Sequence, residues 1–245
     1  MKDVRVSARV GTAIAALLAV SVLSGAAYAA GAAPDISGTY QVTQYNAKLQ
    51  LTDGGEAPLN DAGRAAYAMN QAGLKDGSIT DAARKFCVPD GIPRVLANPY
   101  PFEIIQAPPG QTTIVYELNH QIRVVAMDKP MPSDMELLPF PFYNGHSVGH
   151  FEGDTLVIDS AGFNEKTFLD ATGLPHDDQL KTSERIRKIA GNQLEDVVTI
   201  TDPTFYTRPF SARFVYNTVN TRLEDYVCGE QHRDIYSIPG VRRPQ

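Results

Sequence analysis

The sequence predicts an all-β protein: an antiparallel up-and-down meander that closes into a barrel, with one N-terminal helix before it. Three observations carry this. From Phe102 onward, nine short runs rich in β-branched and aromatic residues follow one another. Turn signals such as Pro108-Pro109-Gly110, Gly153-Asp154 and Gly191-Asn192 separate many of them. Several runs alternate apolar with polar side chains, the two-residue period of a strand with one buried face. A meander of that size must hide its edges, and closure removes them. A two-sheet β-sandwich is the alternative.

The chain of 245 residues opens on a basic stretch with Lys2, Arg5 and Arg9, then an uncharged apolar run over 11–23, then Ala27-Tyr28-Ala29. That order is a cleavable secretory signal over residues 1–29. The apolar run is shorter than the ~20 residues of a membrane helix. No cysteine stands near the cleavage region, so no lipid anchor is expected. The mature protein is therefore expected to be periplasmic or secreted, with no membrane span. Acidic residues outnumber basic ones by 28 to 22, for a net charge of −6. Losing the basic leader makes the rest more acidic still, which excludes nucleic acid as an expected partner.

Residues 30–101 read as a leader, a helix and a Pro/Gly-rich segment, and 102–245 as the antiparallel β domain, one globular unit with 35–101. One or two strands fit between Ile36 and Leu51. Asn60 stands at a cap position before Ala62, Ala65, Ala66 and Met69 at helical spacing, and Gly73 can close that helix. Cys87 to Pro101 is too punctuated for regular structure. The runs that follow are FEIIQ, TTIVYEL, QIRVVAM, VGHFE, TLVIDS, SERIRKI, LEDVVTIT, ARFVYNT and RLEDYVC. Alternation places Ile114, Tyr116 and Leu118 on one face, Leu194, Val198 and Ile200 on a face shared with Asp196, and Glu184 with Ile186 opposite Arg185 and Arg187. The closed meander is a lipocalin-like geometry. Two long interruptions, Asp128 to Asn144 and Gly162 to Thr182, are the places for a mouth or a lid.

Further residues carry a family resemblance. They include Gly145-His146-Ser147, Phe151-Glu152-Gly153-Asp154-Thr155-Leu156-Val157 and Gly162-Phe163-Asn164. Leu174-Pro175-His176-Asp177-Asp178, Ser183-Glu184-Arg185, Tyr206-Thr207-Arg208-Pro209 and Tyr226-Val227-Cys228 complete the set. Together they resemble a widespread family of exported bacterial proteins, over most of the chain from about Cys87 to Cys228. Phe151 departs from the Trp that many members carry. The resemblance implies export and a shared fold, and supplies no catalytic residue.

Gly145-His146-Ser147-Val148-Gly149 fits the G-x-S-x-G nucleophile elbow, with Asp170 and His176 following in hydrolase order. The elbow needs a strand before the serine and a helix after it. Here prolines precede and a hairpin follows, so a serine hydrolase is disfavoured. His146 and His150 would lie ~13 Å apart on a strand. No complete metal-ligand set and no cofactor motif is present, so neither is expected. The catalytic candidates are His146 and His176 as acid/base groups, with Asp178 or Glu184 to orient an imidazole. Tyr143, Phe163, Phe168 and Tyr206 are candidate pocket residues, with Arg208 as an anion clamp. Cys87 and Cys228, two cysteines in an exported chain, point to a disulfide. The function these readings favour is an exported barrel that binds a small apolar or aromatic molecule in its lumen. The alternative is a lyase, isomerase or hydrolase on the same scaffold.

Overall fold

The computed structural model describes residues 33–137, 139, 141–226 and 228. The signal sequence expected over 1–29 lies outside the described residues, as does the end of the β domain over 229–245. Nine strands form one closed barrel in chain order: β1 (Gly38–Val42), β2 (Phe102–Ile105), β3 (Gln111–Tyr116), β4 (Gln121–Met127), β5 (His146–Glu152), β6 (Thr155–Ala161), β7 (Lys181–Ile189), β8 (Gln193–Thr201) and β9 (Phe210–Val219). The sandwich alternative is excluded by the pairing of β9 with β1.

The strand that closes the ring differs from the sequence reading. RLEDYVC forms no ladder over its described residues, and β9 pairs instead with GTYQV of β1. Arg222, Glu224 and Asp225 give that run no apolar face to bury, whereas Tyr40 of β1 points inward and is 1% exposed. The pairing is antiparallel throughout except at β4–β5, which is parallel. The connection 128–145 must therefore run back along the outside of the barrel before β5 begins.

The helix α1 (Asp61–Asp76) starts where expected, with the Asn60 side chain accepting the Gly63 N–H at 2.8 Å. It runs past Gly73, whose missing Cβ admits the Ile79 side chain, and ends at Gly77 in the left-handed conformation. Two short helices, α2 (Ala82–Phe86) and α3 (Asp134–Leu137), join it. The Pro/Gly-rich stretch is not wholly irregular, since Arg94–Ala97 form a 3₁₀ turn. Among the described residues no helix is long and apolar enough to cross a membrane.

Strand direction sorts the connections. The turns at 106–110, 153–154 and 190–192 share one end, the base. The segments 43–60, 87–101, 117–120, 162–180 and 202–209 all emerge at the other end, the mouth. Ile92, Val95 and Leu96 of the Pro/Gly-rich stretch are buried in the same core as the barrel side chains. The Tyr216 hydroxyl donates to the Leu96 carbonyl at 3.0 Å, so this stretch plugs the mouth.

Inside, Phe102, Ile104, Ile114, Tyr116, Ile186, Leu194 and Tyr216 fill the space. The cavity they leave is about 10 Å³, roughly the volume of one water. The inward face of nearly every strand carries a large side chain, and the plug adds Leu96 from above, so this part of the barrel is closely packed.

Candidate functional site

Two polar clusters are built into this apolar body. The first crosses the barrel. Arg123 of β4 donates from Nε to Ser147 Oγ at 2.9 Å and from Nη2 to Ser160 Oγ at 2.9 Å. Its fork also grips Glu184 of β7, with Nη1 to Oε1 at 3.0 Å and Nη2 to Oε2. Ser147 and Ser160 lie 2.8 Å apart. Burial, and then the negative charge of Glu184, hold the Asp196 carboxyl well above its ordinary value. The cluster is thus an arginine–glutamate pair beside a carboxyl whose neutral form is favoured by burial.

The second cluster anchors the plug. Arg94 donates to both oxygens of Asp81 at 3.0 and 2.7 Å, and its Nε lies 3.2 Å from Asp90 Oδ1. Asn98 donates to Asp90 Oδ2 at 3.1 Å. Burial raises the Asp90 pKa, and Arg94 opposes that rise. Asp81 is also the N-cap of α2, so one carboxylate ties the plug to that helix.

Beside this anchor opens a cavity of about 560 Å³ at the mouth. Tyr45, Leu49, Ala97, Tyr100, Leu169 and Tyr226 supply apolar and aromatic wall, while Asp90, Arg94 and Asn98 supply the polar part. Tyr100 and Tyr226 pack with ring centroids 4.5 Å apart. Cys228 lines the same cavity and is bonded to Cys87, with S–S 2.13 Å, as the cysteine count led one to expect.

The candidates named from sequence occupy separate surroundings. Glu184 is inside the barrel, bound to Arg123. His176 is buried within the 162–180 loop, its Nε2 3.2 Å from Thr167 Oγ1 and its Nδ1 3.3 Å from the Asp177 carbonyl. That carbonyl can only accept, so Nδ1 carries the proton and Nε2 accepts from Thr167. His146 begins β5, and its ring stands nearly perpendicular to that of Phe142 with centroids 4.6 Å apart. Asp178 is exposed and accepts from the Gln179 side chain. Tyr143 is half-buried beside the outer wall of β4. Phe163 is core, Phe168 is half-buried, and the buried Tyr206 hydroxyl donates to the Pro175 carbonyl at 2.7 Å. Arg208 is exposed, 3.7 Å from Asp53. Ser147 faces the barrel interior, and Asp170 accepts from the backbones of Leu49, Thr172 and Leu174. No hydrolase triad is assembled from them. Among the described residues no group of three or more His, Cys, Asp or Glu could hold a metal.

Burial gives His176 a measurable signature. It lowers the pKa below the ordinary value near 6.5, so the folded protein holds the ring neutral. The unfolded chain takes up a proton near pH 6.5 while the folded one does not. Stability therefore falls as the pH drops from about 6.5 toward the folded pKa, and this contribution is flat above pH 7. His176→Gln is expected to reduce that slope. Urea midpoints of both proteins from pH 5 to 8 provide the check, and an unchanged slope would assign it to other groups.

Arg94, Asp90 and Arg123 were not among the sequence candidates. Arg94 had no signal beyond its place in a Pro/Gly-rich stretch. Arg123 alternates with Ile122 and Val124, a pattern that by itself would place Arg123 on the outer face.

No known protein family and no curated protein matches the chain. Among solved structures, two single-residue variants of the fluorescent protein UnaG align with it at 15% identity and a TM-score of 0.35. The alignments cover 76% and 75% of this chain and 97% and 96% of theirs. The assignment of a closed barrel rests on the strand pairing itself.

Proposed function

We propose that this protein is an exported β-barrel that binds a small apolar or aromatic molecule, held at the mouth and not in the lumen. One observation carries the reading: a mouth cavity of about 560 Å³, walled by aliphatic and tyrosine side chains, with a few fixed polar groups on one side. Ligand pockets typically measure ~300–1,000 Å³ and have that mixture. Export is supported by the signal pattern at the N-terminus and by the disulfide, which persists in oxidising compartments. An acid/base enzyme would need a histidine and a carboxylate within reach of one substrate. His176 is held by Thr167 and Asp177, Asp178 is exposed, and Glu184 is bound to Arg123, so binding is the reading kept.

The test uses 1-anilinonaphthalene-8-sulfonate as the probe, with the purified full-length mature protein. Ala97 lines the cavity, and the chain contains no Trp. Ala97→Trp is expected to fill the cavity and weaken probe binding about tenfold or more, with an unchanged far-ultraviolet circular dichroism spectrum. Equal affinity in the folded variant would remove the mouth cavity as the site. Mass spectrometry of an organic extract of the wild type then looks for a molecule that co-purifies.

A further inference from the structure

The first half of β4 is turned inside out, whereas Val125 and Met127 of its second half point inward in the ordinary way and are buried. In the first half the polar residues Gln121 and Arg123 point into the barrel and are buried, while Ile122 and Val124 point outward and are 65% and 51% exposed. Shifting a strand by one residue exchanges its faces, and here the inward face is fixed by the ion pair of Arg123 with Glu184. The apolar face is left on the surface.

The same stretch lacks a neighbour. β4 pairs with β3 along Gln121–Ala126 but with β5 only at Val125, Ala126 and Met127. The Met127 N–H is bonded toward β3, to Gly110, and the Asp128 N–H toward β5, to Gly149. By the two-residue alternation, the N–H groups of Ile122 and Val124 also face the β5 side. Among the described residues they have no ladder partner there. Asn144 bridges the gap only by its side chain, donating to Gln121 Oε1 at 3.4 Å, and its own Oδ1 is buried without a partner.

Over this seam lies a groove of about 780 Å³. Ile122, Val124, Ala126, Phe142 and Val148 form its apolar walls, with Phe142 52% exposed. Lys129 and His120 lie toward opposite ends of β4, and no Asp or Glu lines the groove among the described residues. That charge pattern is opposite to the chain as a whole, which carries a net −6.

We propose that this seam binds an extended polypeptide strand with alternating apolar side chains and acidic flanks. Unpaired strand backbone selects another extended backbone, because only that presents acceptors and donors at the same two-residue repeat. The unpaired stretch Gln121 to Val124 spans about 10 Å, the length of three to four extended residues at ~3.3 Å each. The cation at the groove's end favours acidic flanks. A second copy of this acidic chain would be repelled at long range.

Fluorescence anisotropy with a fluorescein-labelled, end-capped Glu-Val-Thr-Val-Thr-Val-Glu peptide tests this on the full-length mature protein. Saturable binding is expected. Ile122→Glu and Val124→Glu, both at exposed positions, are expected to weaken it about tenfold with an unchanged circular dichroism spectrum. Methylating alternate amide nitrogens of the peptide is expected to have a comparable effect. Absence of binding to the wild type overturns the proposal. So does equal binding of the methylated peptide, which would leave an apolar groove with no strand pairing. A wild-type dimer in sedimentation that Ile122→Glu splits would assign the seam to a second copy and overturn it too. Because the mouth cavity lies elsewhere, Ala97→Trp is expected to leave peptide binding intact.

Discussion

Arg123→Met is expected to destabilise the protein by about 3–5 kcal/mol, because it leaves Glu184 as a charge in the barrel interior with no counter-charge. Glu184 is 0% exposed, and both its oxygens accept from the same guanidinium. Its neighbour Asp196 is itself a carboxyl, with a pKa that burial and then Glu184 raise well above the ordinary value. Nothing nearby can take over from Arg123. At ~2–4 °C per kcal/mol for a chain of this size, the midpoint of thermal unfolding should fall by on the order of 10 °C. The double variant Arg123→Met/Glu184→Leu removes both charges and keeps similar volume, so it should recover most of the loss. Ser147 and Ser160 still bond each other in that background. Urea unfolding at pH 7 followed by circular dichroism compares the three proteins. A double variant no more stable than the single one would mean that the cost comes from packing, not from the stranded charge.

The ion pair also shows which parts of the fold could be read from sequence. On β7 the two-residue period put Glu184 and Ile186 on one face and Arg185 and Arg187 on the other, and that is the arrangement found. On β8 the same argument placed Asp196 among Leu194, Val198 and Ile200. Periodicity works where one face is uniformly buried. It gives no guidance on β4, where Ile122, Val124 and Ala126 look like the buried set and the partner of Arg123 is 61 residues away in sequence. Closure by β1 and the filled lumen are both long-range outcomes. The first depends on which strand meets β9, and the second on the sizes of side chains brought together from all nine strands and the plug. The mouth cavity is the hardest case, because Leu49, Arg94, Leu118, Leu169 and Tyr226 come from five separate segments. Loop length indicated that 162–182 would matter, and Leu169 does line the cavity. No local pattern marks Arg94 or Leu49. The histidines illustrate the same limit: chemical type can be read from sequence, but convergence in space cannot.

Removing the disulfide should cost about 3–5 kcal/mol, and it should also weaken binding at the mouth. Cys87 and Cys228 are separated by 141 residues, and a loop of that size is worth up to ~5 kcal/mol in the chain-entropy model. The local structure gives the bond a second role. Cys87 ends α2 and leads directly into the plug, while Cys228 and Tyr226 form part of the cavity wall. Residues 220–226 join no strand. The Glu224 N–H on Glu117 Oε2 at 2.9 Å and the Tyr226 ring on Tyr100 are among the contacts that hold them to the barrel end. The disulfide at Cys228 adds a covalent tie against the entropy of ordering these residues. The double variant Cys87→Ser/Cys228→Ser is therefore expected to unfold at lower urea. Under fully native conditions it should also bind 1-anilinonaphthalene-8-sulfonate about tenfold less tightly, with amide exchange faster at 220–226 than in β7 and β8. The two effects separate cleanly. Lower stability with unchanged probe affinity would reduce the bond to a constraint on the unfolded chain, whereas weaker binding by a fully folded variant would make it part of the wall that shapes the cavity.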